Sequence, residues 1–322
     1  MEKGNINEKI ALVGGGSGVY QIARALKFIR PNIVTVQTVF DSGGHSGALR
    51  DERGMLPPGD IRRAILALAD EHVERNLRKI LSYRFPAKNG SSLDDVNMGN
   101  LLLTALTEIT GTLPQAINEM CMWYGVKGKV LPVSLDDAHI KVQLSDGSFI
   151  LGEKYIDTRS INDDRTIVGV SLEPDAHLYV EVYDELLTAD KIVLCPGDLY
   201  TSLLPNLIVK GFADALKESR GELMYVTNIM TKKSETGGFT ANDFVKTVEK
   251  YLDGKKIDTV IVNDSEISKD ILDSYKEQKS EPVSINGDLA KLVKRVIRAD
   301  LVDIGGGIVR HNDRTASLIA EL

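Results

Sequence analysis

Short apolar runs alternate with helix-spaced apolar positions along most of this chain. Ile10–Val13 is a buried-strand run, and Val19, Ile22, Ala23, Leu26 and Ile29 then follow the i, i+3, i+4, i+7 spacing of a helix. Ile33–Val39 is a second strand-like run, and residues 60–69 put Ile61, Ala64, Ile65 and Leu68 on one helical face. Lys191–Leu194, Leu223–Val226 and Thr259–Val262 are further strand-like runs, each followed by turn residues. Thr240 and Asp243 have capping-box spacing before a helix that turns Phe244, Val248 and Leu252 inward. Strand, polar loop and helix in repetition predict an α/β fold, a doubly wound, mostly parallel Rossmann-like sheet. The middle breaks the pattern. Ile140, Val142 and Leu144 alternate with polar residues, Asp146-Gly147 reads as a hairpin turn before Phe149 and Leu151, and alternation returns at Leu178, Val180 and Val182. Residues 127–184 are therefore expected to be an antiparallel insertion within one domain spanning 1–322.

Composition narrows the class. The chain has 322 residues, 43% hydrophobic and 26% charged, with net charge −7. That is enough for a sizeable core, and the acidity disfavours a nucleic-acid partner, which needs basic surface. No run reaches 18 apolar residues and the first residues lack a signal-peptide pattern, so membrane insertion is not expected and a cytoplasmic location is. Two distant cysteines, Cys121 and Cys195, have no metal-ligand spacing and fit a reducing compartment. A monomer and a homodimer are both compatible with these features.

The candidate chemistry lies at predicted strand ends, where open parallel sheets place their ligands. Gly14-Gly15-Gly16-Ser17-Gly18 stands at a strand-to-helix turn. It is either a phosphate loop, with backbone amides and a helix N-terminus facing the ligand, or a plain tight turn. Val19 occupies the third glycine position of G-x-G-x-x-G and no G-K-[ST] follows, so neither the dinucleotide nor the Walker fingerprint is met. An NAD(P)-linked oxidoreductase is disfavoured for the same reason.

After the second strand come Asp41, Ser42, Gly43, Gly44, His45 and Ser46, where the backbone can approach a ligand and Asp41 can hold a metal ion or a ribose hydroxyl. Asp60 is placed either to cap the next helix or to touch a ligand, and Arg50, Arg53, Arg62 and Arg63 either meet phosphates or pair with neighbouring acids. Asn97 or Asn100 can cap the Leu101–Leu106 segment or offer an amide to a base or phosphate. Cys195-Pro196-Gly197-Asp198, with Thr201 and Ser202 opening a helix, forms a second candidate cradle facing the first across the sheet, and Asn228 adds an amide at the same rim.

Taken in order, GGGSG, DSGGHSGALRDERGMLPPGDIRR, MGNLLLTAL, PGDLYTSLLPNL, VTNIMTKKSETGGFT and IVRHND resemble the gluconeogenesis-factor family, a relative of the 2-phospho-L-lactate transferases. The resemblance spans nearly the whole chain. It implies a cytosolic α/β protein whose ligand is a UDP-sugar such as UDP-N-acetylglucosamine, needed for growth on gluconeogenic carbon sources and for cell shape. The transferase branch implies instead phospholactate transfer from a guanosine diphosphate donor, with Mg²⁺. By motif the site would draw on Gly14–Gly18, Asp41, Gly43, Gly44, Ser46, Asn97, Gly197, Tyr200 and Thr201. Tyr275 and Arg310 would meet the base and the diphosphate. The chain departs from the family pattern at Ser42, which replaces the second of two aspartates, and at His45, Cys195 and Asp198. One carboxylate fewer at Ser42 weakens a Mg²⁺ site built on Asp41, and the extra one at Asp198 repels a phosphate unless a cation intervenes. A regulatory binder without turnover is the favoured expectation; a Mg²⁺-dependent transferase using Asp41 is the alternative.

Overall fold

A computed structural model describes residues 6–43, 47, 50, 54–88, 90, 91 and 93–322. Seven strands form one all-parallel sheet: β1 (Ile10–Gly14), β2 (Ile33–Gln37), β3 (Lys129–Pro132), β7 (Lys191–Leu194), β8 (Glu222–Val226), β9 (Thr259–Asn263) and β10 (Arg295–Ala299). Their spatial order is β10-β9-β8-β7-β1-β2-β3. The chain thus starts in the middle, builds outward through β2 and β3, then returns to the other side of β1. β1 and β7 are buried at every position, as strands covered on both faces must be.

The predicted helices form where their apolar faces meet the sheet. Gly16–Leu26 buries Val19, Ile22, Ala23 and Leu26 and packs against helices Gly59–Leu68 and Asp313–Glu321. Thr240 caps Ala241–Glu249 with its side chain accepting from the Asp243 amide, and the Asp243 carboxylate accepts from the Thr240 amide in return. No helix among the described residues is long and apolar enough to cross a membrane.

Between β3 and β7 the chain builds a three-stranded antiparallel sheet, order β5-β4-β6, from β4 (His139–Leu144), β5 (Phe149–Leu151) and β6 (Ile167–Glu173). It is narrower than the 127–184 expected. β3 pairs parallel with β2 in the main sheet, and Val180–Leu187 is a helix rather than a strand. The helix buries Val182, Glu185 and Leu186 on one side, which decides the period that the three alternating residues Leu178, Val180 and Val182 left ambiguous. Near the C-terminus β11 (Val302–Gly305) and β12 (Ile308–His311) form a hairpin.

Candidate functional site

Because the strand order reverses direction between β1 and β7, the loops leaving their carboxyl ends part there and open a cleft of about 450 Å³. The two loops touch rather than face one another across the sheet. A Cβ on Gly18 would overlap the Pro196 carbonyl oxygen, and one on Gly15 would meet the Asp60 carboxylate and approach Thr38 Cγ2 to 2.7 Å. Glycine at these two positions admits neighbouring protein, so close packing as well as ligand access explains the run. Gly16 turns the chain at φ +64°, and with Ser17 and Gly18 brings the N-terminus of helix Gly16–Leu26 to the cleft wall. Gly14 lies behind the wall, its carbonyl accepting from the Thr38 amide at 3.0 Å and from Asn206 Nδ2 at 3.4 Å.

Asp60 lines the cleft but does not cap its helix, whose N-cap is Pro58. It sits in the first turn and accepts a hydrogen bond from the Gly16 amide, with Arg63 at 3.4 Å. Burial raises its pKa to about 6 against the pull of Arg63. Asp41 also lines the cleft. Its Oδ1 accepts from the Gly43 amide at 2.7 Å, and its carboxylate is hydrogen-bonded to Glu153, the first residue of helix Glu153–Asp157 on the antiparallel sheet. Burial, then the Asp41 charge, push Glu153 up to about 8. Ser42 and Gly43 back this pair: the Ser42 amide donates to Glu153 Oε2 at 3.4 Å and its hydroxyl accepts from the Lys154 amide at 3.1 Å.

On the β7 side, Gly197 and Asn228 are held together, Asn228 Nδ2 donating to the Gly197 carbonyl at 2.8 Å. Leu199–Leu203 forms a single wide π-helical turn, with Asp198 before it. Thr201 lines the cleft and donates to Glu235 Oε1 at 3.0 Å, while Tyr200 is buried, its amide donating to Glu235 Oε2 at 2.7 Å. Burial, then Asp198, raise Glu235 to about 7. Burial works against the Lys232 ammonium, yet Glu235, Asp198 and Asp157 outweigh it and hold its pKa above the usual lysine range.

The β11–β12 hairpin closes the far end with Val309, Arg310 and His311. Tyr275 is not on the cleft wall; its hydroxyl accepts from the Val309 amide at 2.9 Å and so steadies the strand that presents Arg310. His311 is buried, with Nε2 3.0 Å from the Thr227 carbonyl, and burial lowers its pKa to about 4. A neutral ring there is a strut rather than a proton carrier.

Three expected site residues stand elsewhere. Arg50 is buried against Asp137 and the Ala138 carbonyl at 2.6 Å, where it anchors the approach to β4. Asn97 caps helix Met98–Thr110 by accepting from the Asn100 amide at 3.0 Å, and Asn100 in turn accepts from Arg62 Nε at 2.9 Å. These roles are structural: the Asn97 and Asn100 side-chain oxygens and the Arg50 guanidinium all find partners inside the protein. Gly44, His45, Ser46 and Arg53 lie outside the described residues. Cleft residues that sequence reasoning did not select include Gln21, Thr38, Glu153, Asp157 and His311, while Arg63, one of the arginines weighed for a phosphate contact, does line the cleft. Lys232 and Glu235, which brace the wall, were also passed over, although they sit inside the VTNIMTKKSETGGFT segment. The only signal there was a lysine pair beside a glutamate.

The donor set does not fit a resident Mg²⁺. Asp41 has its oxygens engaged by Gly43 and Glu153, and Ser42 supplies no second carboxylate. Asp157, Asp198 and Glu235 bring ligand oxygens within 4.8 Å of one another, but Lys232 lies among them.

Comparison with known proteins accounts for this plan. A family model described as 2-phospho-L-lactate transferase CofD matches residues 10–302. The putative gluconeogenesis factor of Thermoanaerobacterium thermosulfurigenes is 40% identical over 309 residues, 95% of this chain and 94% of that one. The gluconeogenesis factor of Bacillus subtilis is 35% identical over 317 residues, 98% of each. A crystal structure of a UPF0052-family protein from Bacillus halodurans superposes with a TM-score of 0.90 at 34% identity, over 98% of this chain and 99% of that one. With likeness running from β1 to β11 in sequence and over nearly the whole fold in space, the chain belongs to the CofD family, in its gluconeogenesis-factor (UPF0052) branch.

Proposed function

We propose that the chain binds a nucleotide sugar of the UDP-N-acetylglucosamine kind in the switch-point cleft and acts as a cytoplasmic regulatory factor for growth and cell shape on gluconeogenic carbon sources. One observation carries the reading: the N-terminus of helix Gly16–Leu26 and Arg310, from opposite ends of the sequence, line one cleft together with Arg63. Helix amides and guanidinium forks hold a diphosphate, while Asp41 and Glu153, hydrogen-bonded to each other in the same cleft, suit the hydroxyls of a sugar or ribose. The names of the curated relatives support the gluconeogenesis part of the reading.

The test is a thermal-shift panel with UDP-N-acetylglucosamine, UDP-glucose, GDP and NADP⁺, each with and without Mg²⁺. Ligand at about 100 times its Kd stabilises the fold by roughly 2.7 kcal/mol, a rise of several degrees. UDP-sugars are expected to give that shift regardless of Mg²⁺, and Arg310→Ala to weaken it about 10- to 100-fold by removing a charged hydrogen-bond donor. The alternative, a Mg²⁺-dependent transferase, is favoured by the description of the matching family model, and would require Asp41 to exchange its hydrogen bond with Glu153 for the metal. A shift with GDP and Mg²⁺ alone would replace the first reading with it.

A further inference from the structure

Lys232 follows β8 in a loop whose backbone is pinned on both sides. The Thr231 amide donates to the Glu281 carbonyl at 2.7 Å, and the Lys232 amide donates to Thr236 Oγ1 at 3.0 Å. From that anchor the side chain reaches three carboxylates supplied by three separate elements. Asp157 ends the short helix on the antiparallel sheet, Asp198 leads the turn after β7, and Glu235 lies in helix Lys233–Thr236. The ammonium is ion-paired with Asp157, 2.7 Å from Asp198 Oδ2 and 3.5 Å from Glu235 Oε1.

The three carboxylates offer oxygens within 4.8 Å of one another, a spread that oxygen ligands adopt around one small divalent ion. Here a nitrogen lies among them instead. An ammonium has three donors and no acceptor, which matches three carboxylates. An ordinary surface ion pair does not explain the arrangement, because the Glu235 side chain is 0% exposed and two further groups, the cleft-lining Thr201 Oγ1 and the buried Tyr200 amide, also converge on it. The charge is needed locally. Asp198 and Asp157 line the cleft that we assign to a diphosphate, and unneutralised they would oppose it.

We propose that Lys232 is a built-in cation of the cleft: its ammonium takes the place among Asp157, Asp198 and Glu235 that a divalent ion would otherwise take, so the anionic ligand is bound without a metal. The second half rests on the ligand reading above; the first half stands without it.

The experiment is a Mn²⁺ titration of the full chain, followed by electron paramagnetic resonance in the absence of nucleotide, for wild type, K232R and K232Q. Wild type and K232R are expected to leave Mn²⁺ free. K232Q is expected to bind one Mn²⁺ at least tenfold more tightly, and to lose it when D198N is added. One Mn²⁺ held by wild type and lost in D198N overturns the proposal, as does K232Q binding no more tightly than wild type. If K232Q is too unstable to titrate, its melting temperature is read with and without Mn²⁺: recovery supports the vacated site, and no recovery overturns it. The metal-free clause is tested with UDP-N-acetylglucosamine and wild type in EDTA. An undiminished thermal shift supports it and a shift abolished by EDTA overturns it. No shift under any condition defeats the ligand reading, while the Mn²⁺ titration still decides the role of Lys232.

Discussion

Gly18 shows how much can rest on a missing methyl group. Its Cα faces the Pro196 carbonyl, and a side chain there forces the first turn of helix Gly16–Leu26 away from the β7 loop. Gly18→Ala is expected to cost about 1–3 kcal/mol through overpacking and to lower the calorimetric melting temperature by several degrees. The acids of the cleft have a different signature. Glu153 and Glu235 have native pKa values raised to about 8 and about 7 from 4.5, so at intermediate pH the native state holds protons that the unfolded chain has released. Their contribution to stability is fully present below pH 4.5 and is lost as pH rises through 7 and then 8. His311, lowered from 6.5 to about 4, works in the opposite sense and loses its contribution as pH falls through that range. Melting curves from pH 5 to 9 are expected to show Glu153→Gln flattening the decline between about pH 5 and 8; an unchanged slope there would remove Glu153 from this account.

At the scale of the element, local chemistry was strong enough to be read directly. The capping box at Thr240 and Asp243 forms as its spacing demanded, and Thr240→Ala is expected to cost about 1 kcal/mol, seen as a midpoint shift in urea with unchanged m-value. The strand runs at residues 10, 33, 191, 223 and 259 all lie in the parallel sheet, because continuous apolar stretches bounded by turns have few other places to go. Val180–Leu187 shows the limit: three alternating residues are too few to separate a period of 2 from 3.6. Asp60 shows another. Its position before a helical run suited a cap, but Pro58 had already begun the helix and the carboxylate was left to reach Gly16.

At the scale of the molecule, the legible part of the cleft was the part that lies next to a strand end in sequence. Gly16, Asp41, Gly197 and Asn228 could be placed because a parallel sheet brings its carboxyl-end loops to one rim. Glu153 and Asp157 could not, since they arrive from the antiparallel sheet, whose docking beside Asp41 no local pattern encodes. Arg310 was reached through family resemblance, while the hydrogen bond from the Val309 amide to Tyr275 that steadies its strand is visible only in three dimensions. Arg50 and Asn97 show the converse: polar residues in suggestive positions whose partners turned out to be inside the fold.

The central placement of β1 also governs how the molecule is made. One edge of that strand meets β2 soon after synthesis, but the other waits for β7, about 180 residues later. At about 5–20 residues per second the ribosome takes roughly 10–40 s to deliver it. Throughout that interval a fully apolar strand presents an unpaired hydrogen-bonding edge, the kind of surface on which nascent chains aggregate. Biogenesis of this fold therefore favours fast or chaperone-shielded synthesis, and the cleft is one of the last features of the protein to exist.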